Sequence, residues 1–167
     1  GSGKTTLIKL LLGLYKPSAG KILINGEDTA NWTADRFVAY FSVVFQDFKL
    51  FSLKIGENIA VSEEFDENLV RESLEKTGLS EFYNKYGTGG FLYRDFEEGG
   101  IEISGGEAQK IAMSRAIYHK GKFFVLDEPT AALDPLSEYE IYTHFGEITS
   151  ENPAIYISHR LSSCIFC

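Results

Sequence analysis

Three short runs, at residues 41–45, 123–126 and 154–157, are built almost wholly from β-branched, aromatic and aliphatic residues. Runs of four or five apolar residues are too short for buried helices, and the lack of polar alternation marks strands covered on both faces, as in a parallel sheet. The intervening chain carries helical signals. Residues 3–14 place Leu7, Ile8, Leu10, Leu11 and Leu14 on an i, i+3, i+4, i+7 stripe that Pro17-Ser18-Ala19-Gly20 brings to an end. Residues 21–25 alternate like a strand and stop at Asn25-Gly26. Residues 66–76 read as a helix stopped by Gly78, and residues 87–100, rich in glycine and acidic side chains, read as loop. Ser104 and Glu107 match a capping box ahead of a helix whose apolar side is Ala108, Ile111, Ala112 and Ala116. Asp134-Pro135 sets a capping carboxylate before proline at a first helical position, with Leu136, Tyr139, Tyr142, Phe145 and Ile148 expected on one buried side. Strands alternating with helices at both ends, around a helical middle, predict an α/β sheet with a helical insertion.

Composition limits the classes of function. A chain of 167 residues fits one compact domain, and 44 % apolar against 24 % charged residues is the balance of a globular protein rather than a disordered one. The net charge of -8, with no clustering of Lys and Arg in sequence, argues against nucleic acid as a partner. Cys164 and Cys167 supply half of a four-ligand zinc site at most and read as reduced thiols. No run approaches the roughly 20 apolar residues of a membrane-crossing helix. Lys4 and the apolar stretch after it imitate a signal peptide, but Lys9 interrupts that stretch and no initiator Met precedes it.

Two motifs carry chemistry. Gly1-Ser2-Gly3-Lys4-Thr5-Thr6 is the second half of a phosphate-binding loop, set directly before a helix. Glycines let backbone N–H groups turn toward phosphate oxygens, and the helix start adds partial positive charge. In that role Lys4 reaches the β- and γ-phosphates and the Thr5 hydroxyl ligates Mg²⁺. The run from Phe123 to Leu126 leads into Asp127 and Glu128, which puts one carboxylate near Mg²⁺ and the next beside an attacking water.

With Ser104-Gly105-Gly106-Glu107 lying between these two motifs, the chain resembles, over almost its whole length, the nucleotide-binding domain of ATP-binding cassette (ABC) transporters. Gln46 matches that family's Q-loop glutamine, Ala131-Ala132-Leu133-Asp134 its D-loop, and His159 its switch histidine. Leu50-Phe51-Ser52 and Ile55-Gly56-Glu57-Asn58-Ile59 look like the exporter branch, in which this stretch faces the transmembrane domains; Glu98 falls where exporters carry a glutamate. Ile103, Glu107 and Ala131 depart from the family's usual leucine, glutamine and serine.

The resemblance implies a P-loop NTPase fold with a mostly parallel sheet, its α/β core in residues 1–54 and 119–167 and a helical subdomain in residues 55–118. It implies ATP and Mg²⁺ as ligands, the metal held by Thr5, Gln46 and Asp127. It also implies two copies that sandwich two ATP molecules head to tail. Gly1, Ser2, Gly3, Lys4, Thr5, Thr6 and Asp134 of one copy, with Ser104, Gly105 and Gly106 of the other, would then bind nucleotide. Glu128, His159, Gln46 and Lys4 would carry catalysis. The transmembrane domains of a transporter, of the exporter branch, are the other implied partners, at the cytoplasmic face of the membrane, with this domain peripheral to it or fused to a membrane domain. The family's leading strands, its adenine-stacking aromatic and its last strands have no counterpart in this sequence. The 167 residues are therefore expected to be soluble, to bind ATP weakly or not at all, to lack turnover by themselves, and to leave the strand at residues 154–158 as an open sheet edge that leads to self-association, to element swapping or to its being covered by the chain's own N-terminal or C-terminal segment. A soluble ABC-type ATPase of DNA maintenance or translation fits the exporter-like stretch poorly. A nucleotide-binding module without turnover fits poorly with Glu128 and His159 both present in the parent protein, but remains the alternative for these 167 residues as they stand.

Overall fold

The computed structural model describes residues 3–130, 133–149 and 152–158. Three strands, β3 (Phe41–Val44), β4 (Phe123–Asp127) and β5 (Ala154–Ile157), form a parallel sheet in the order β3-β4-β5. Phe41 stands opposite Phe123, and Asp127 opposite Ile157. Ahead of this sheet lie α1 (Lys4–Leu11), the hairpin β1 (Leu23–Ile24) and β2 (Glu27–Asp28), and α2 (Ala34–Tyr40). The hairpin turns through Asn25 and Gly26, both with positive φ, as a two-residue turn between strands demands. Four helices follow β3: α3 (Ile55–Ala60), α4 (Glu67–Lys76), α5 (Ser80–Tyr86) and α6 (Gly105–His119); α7 (Pro135–Thr149) joins β4 to β5.

Because side chains alternate along a strand, β4 feeds two different cores. Val125 packs with Ile8 and Leu12 beneath α1, together with Trp32, Phe41 and Ile157. Phe124 and Leu126 point to the other face, against Met113, Ala116 and Ile117 of α6 and Ile141 of α7. A third cluster joins α3, α4 and α5 through Ile55, Ile59, Val70, Leu74 and Phe82, and it includes Ile111 of α6. One helix therefore belongs to both the sheet core and the helical core.

Several expectations are corrected here. The first helix ends at Leu11 rather than at residue 14, since Gly13 turns to φ 71° and lies so close to the Phe37 ring that a Cβ would sit 2.6 Å from it. Its buried residue is Ile8, with Leu12 buried just past its end, while Leu7 and Leu14 are exposed. The apolar stripe is wider than the face that the sheet covers, and periodicity cannot choose within it. In α7 the buried positions are Glu138, Ile141 and Tyr142, with Leu136 and Tyr139 exposed; the side chains of Phe145 and Ile148 lie outside the description. Residues 21–25 contribute only Leu23–Ile24 to a strand. The short helices α2, α3 and α5 were not expected from periodicity, because seven residues or fewer make too few turns to show it.

Candidate functional site

Parallel strands end on the same side of a sheet, and that edge is where ligands bind in open α/β folds. Here the edge collects Gln46, exposed two residues beyond β3, then Asp127, buried at the end of β4, and Glu128 directly after it. The Glu128 N–H donates to the Ile157 carbonyl at 2.8 Å, which continues the β4–β5 ladder by one bond. Glu128 itself has φ 49°. A left-handed conformation at a residue with a Cβ costs about 1–2 kcal/mol and persists only where its surroundings hold it.

At the start of α1, Gly3 takes φ 77°, a conformation open to glycine, and no described side chain caps the helix. Lys4, Thr5 and Thr6 occupy its exposed first turn. A helix start of this kind, whose first N–H groups have no intrahelical acceptor, favours an anion. Ile8 and Leu12 seat the helix on the face of the sheet that Val125 and Ile157 build. Gly1 and Ser2, the rest of the expected loop, lie outside the described residues, as do Ala131, Ala132, His159, Cys164 and Cys167.

The signature stretch opens α6 as a complete capping box. The Ser104 hydroxyl accepts from the Glu107 N–H at 3.2 Å, and the Glu107 carboxylate accepts from the Ser104 N–H at 2.8 Å and from its hydroxyl at 2.7 Å. Glu107, where glutamine is usual, is thereby turned onto its own helix start. Ser104 and Gly105 remain exposed, with Gly106 partly covered. Asp134 caps α7 by accepting from the N–H groups of Leu136 (3.0 Å) and Ser137 (3.1 Å). Hydrogen bonds from Ser137, the side chain foremost, hold its carboxyl below the usual aspartate range.

Three features escaped sequence reasoning. Gln109, only 3 % exposed on α6, donates from its side-chain amide to the Glu128 carbonyl at 3.2 Å. Thr130 donates to the buried Glu138 carboxylate at 3.1 Å and shares a 3.2 Å hydrogen bond with the Tyr142 hydroxyl. Arg115 donates to the carbonyls of Asn58 (2.8 Å) and Lys49 (3.2 Å), tying the segment after Gln46 and the end of α3 to α6. The available signal was polar residues within apolar helical faces, such as Glu138 beside Ile141 and Tyr142.

The donor set suits a divalent cation bound together with phosphate. Thr5, Gln46 and Asp127 offer only oxygen ligands of the hard type that Mg²⁺ prefers, and too few to cage it without phosphate oxygens and water.

The ABC transporter family profile matches residues 1–131. This chain belongs to that family. The nisin transport ATP-binding protein NisT of Lactococcus lactis subsp. lactis is 37 % identical over 98 % of this ABC chain, and the subtilin transport ATP-binding protein SpaT of Bacillus subtilis is 36 % identical over 96 %. The ATP-dependent lipid A-core flippase of Francisella novicida is 33 % identical over 98 %. Among solved structures, a bacterial Atm1-family ABC exporter with ATP bound superposes with a TM-score of 0.86 at 30 % identity, over 97 % of this chain and 28 % of its own. The expected P-loop α/β fold is thus borne out. The ABC chain spans 27–28 % of the length of these three curated relatives.

Proposed function

We propose that this ABC domain binds and hydrolyses ATP to drive export through transmembrane partners, with two nucleotide-binding domains closing head to tail around two ATP molecules. The observation that carries the reading is the shared strand edge, where Gln46, Asp127 and Glu128 emerge side by side in a sheet whose face seats the Lys4-Thr5 helix start. Lys4 and the first-turn N–H groups hold the phosphates, and the exposed Ser104 and Gly105 close onto the γ-phosphate from the opposing copy. Glu128 accepts a proton from the attacking water, Gln46 orients that water, and His159 holds the γ-phosphate. Thr5, Gln46 and Asp127 would hold Mg²⁺, which would supply neutralisation of the phosphate charge. Asp134 stiffens the start of α7 beside the opposing site.

No described helix is long and apolar enough to cross a membrane. A cavity of about 610 Å³ opens between β3, α2, α3 and α6, lined by Phe37, Val38, Phe45, Val61, Arg115 and Tyr118 among others. Val38 and Val61 are each about two-thirds exposed at its rim. We assign this groove to a segment of the transmembrane partner on the cytoplasmic side; relatives described as export ATP-binding/permease proteins support that pairing.

In the full-length protein, Glu128→Gln is expected to lower kcat for Mg-ATP by about 100-fold or more, the scale of a lost general base, while ATP binding persists. Unchanged steady-state turnover would remove Glu128 from the role of base.

A further inference from the structure

We infer that Gln109 is a positioning residue for Glu128, and through it a physical link between the two ATP sites of the closed pair. The inference rests on the assignment of Glu128 as the base. Glu128 is held in a left-handed conformation that its own side chain disfavours. Its N–H is fixed by the Ile157 carbonyl of β5, and its carbonyl receives the Gln109 amide at 3.2 Å. The peptide on the far side of the base is therefore oriented from α6, not from the sheet. Two residues on, Thr130 is anchored separately by the Glu138 carboxylate and the Tyr142 hydroxyl.

The position of Gln109 gives this contact its consequence. It lies on the same helix as Ser104, little more than a turn from the capped start, and Gly105–His119 forms one continuous helix. In a head-to-tail pair, Ser104 of one copy meets the ATP held by the other, whereas Glu128 acts on the ATP of its own copy. Engagement of Ser104 by the opposing γ-phosphate moves α6, and a shift of a fraction of an ångström changes the geometry of the Gln109–Glu128 hydrogen bond. Occupancy of one site thus reaches the base of the other along a single helix. Burial of Gln109 at 3 % exposure keeps water from substituting for its amide.

The test uses the full-length protein and compares Gln109→Met, which keeps shape without a donor, with Gln109→Glu, which can donate only when protonated. Gln109→Met is expected to lower kcat at least tenfold with KM and Kd for Mg-ATP within twofold of the parent, the pattern of an interaction that matters only for the chemical step. For Gln109→Glu, burial favours the neutral acid, so the ratio of its kcat to that of the parent is expected to rise several-fold as pH falls from 8.5 to 6. A Gln109→Met enzyme within twofold of the parent in kcat, or a pH-independent ratio for Gln109→Glu, overturns the inference, and the second readout stands even if the Met variant fails to fold. Glu128→Gln is measured alongside. Turnover retained there overturns the base assignment and this inference with it, whereas its loss beside a parent-like Gln109→Met overturns this inference alone.

Discussion

Gly121 sits just ahead of β4, where the sheet allows no side chain. A Cβ built on it would lie 2.5 Å from the Ser42 backbone nitrogen, 2.7 Å from the Phe41 carbonyl carbon and 2.8 Å from the Ser42 hydroxyl. Comfortable contacts between such atoms need about 3.5 Å, so β3 and β4 must part by roughly 1 Å at their first pair. Two of the three obstacles are backbone and cannot swing aside. Overpacking of this kind costs about 1–3 kcal/mol. The 2.9 Å hydrogen bond from the Gly121 N–H to the buried Ser42 hydroxyl would also be strained or lost. Leaving such a group unpaired adds about 1–2 kcal/mol. Gly121→Ala is thus expected to destabilise the protein by about 3 kcal/mol, a large part of the 5–15 kcal/mol typical of a domain. Equilibrium urea unfolding of the parent, Gly121→Ala and Ser42→Ala measures it, the last variant removing the hydroxyl but not the backbone obstacle. A Gly121→Ala midpoint equal to the parent's would refute the steric argument. Equality with Ser42→Ala would reduce it to the hydrogen bond alone.

Two further outcomes are expected. Arg115→Met keeps the stem but removes the donors to Asn58 and Lys49, and should cost about 3 kcal/mol, since hydrogen bonds from a charged donor contribute about 1.5–3 kcal/mol each; hydrogen exchange should show the loss first at residues 47–60, and protection unchanged there would contradict the tie. The Asp134 carboxyl is held below its ordinary range mainly by Ser137, so its contribution is present above the unfolded value and is lost as pH falls through the depressed folded value. Asp134→Asn should therefore show a shallower acid-unfolding limb than the parent below about pH 4, with the two curves parallel above pH 6; identical limbs would exclude the cap as a titrating contributor.

What could be read from the sequence follows from how each feature is encoded. The strands of the parallel sheet were legible because burial on both faces leaves no polar position, so Phe123–Asp127 shows as an apolar run ending in a charge. The cap of α6 was legible because both partners, Ser104 and Glu107, lie within four residues. The inner faces of α1 and α7 were not. Leu7 and Leu11 satisfy the helical period as well as Ile8 and Leu12 do, and only the position of Val125 and Ile157 decides between them. In α7 the buried face includes an acid, Glu138, whose partner Thr130 precedes the helix and cannot be identified from hydrophobicity.

The same reasoning explains why α6 has so weakly amphipathic a sequence while being so thoroughly buried. A helix that serves one core needs a single apolar stripe, but α6 serves two, with Ile111 in the helical cluster and Met113, Ala116 and Ile117 against the sheet. The polar residues between those stripes are buried or half-buried and bond individually to their neighbours. Gln109 bonds the Glu128 carbonyl, Ser114 bonds the Lys110 carbonyl and the buried Thr77 hydroxyl of the α4 end at 2.8 Å, and Arg115 bonds the carbonyls of Asn58 and Lys49. Apart from the Ser114–Lys110 bond within α6 itself, these bonds reach different elements. Displacing α6 therefore reshapes contacts to the end of β4, the helical cluster and the segment after Gln46 together. A shift of this helix is thus passed to all three, which is the property that the proposed nucleotide-driven closure requires of the element carrying Ser104.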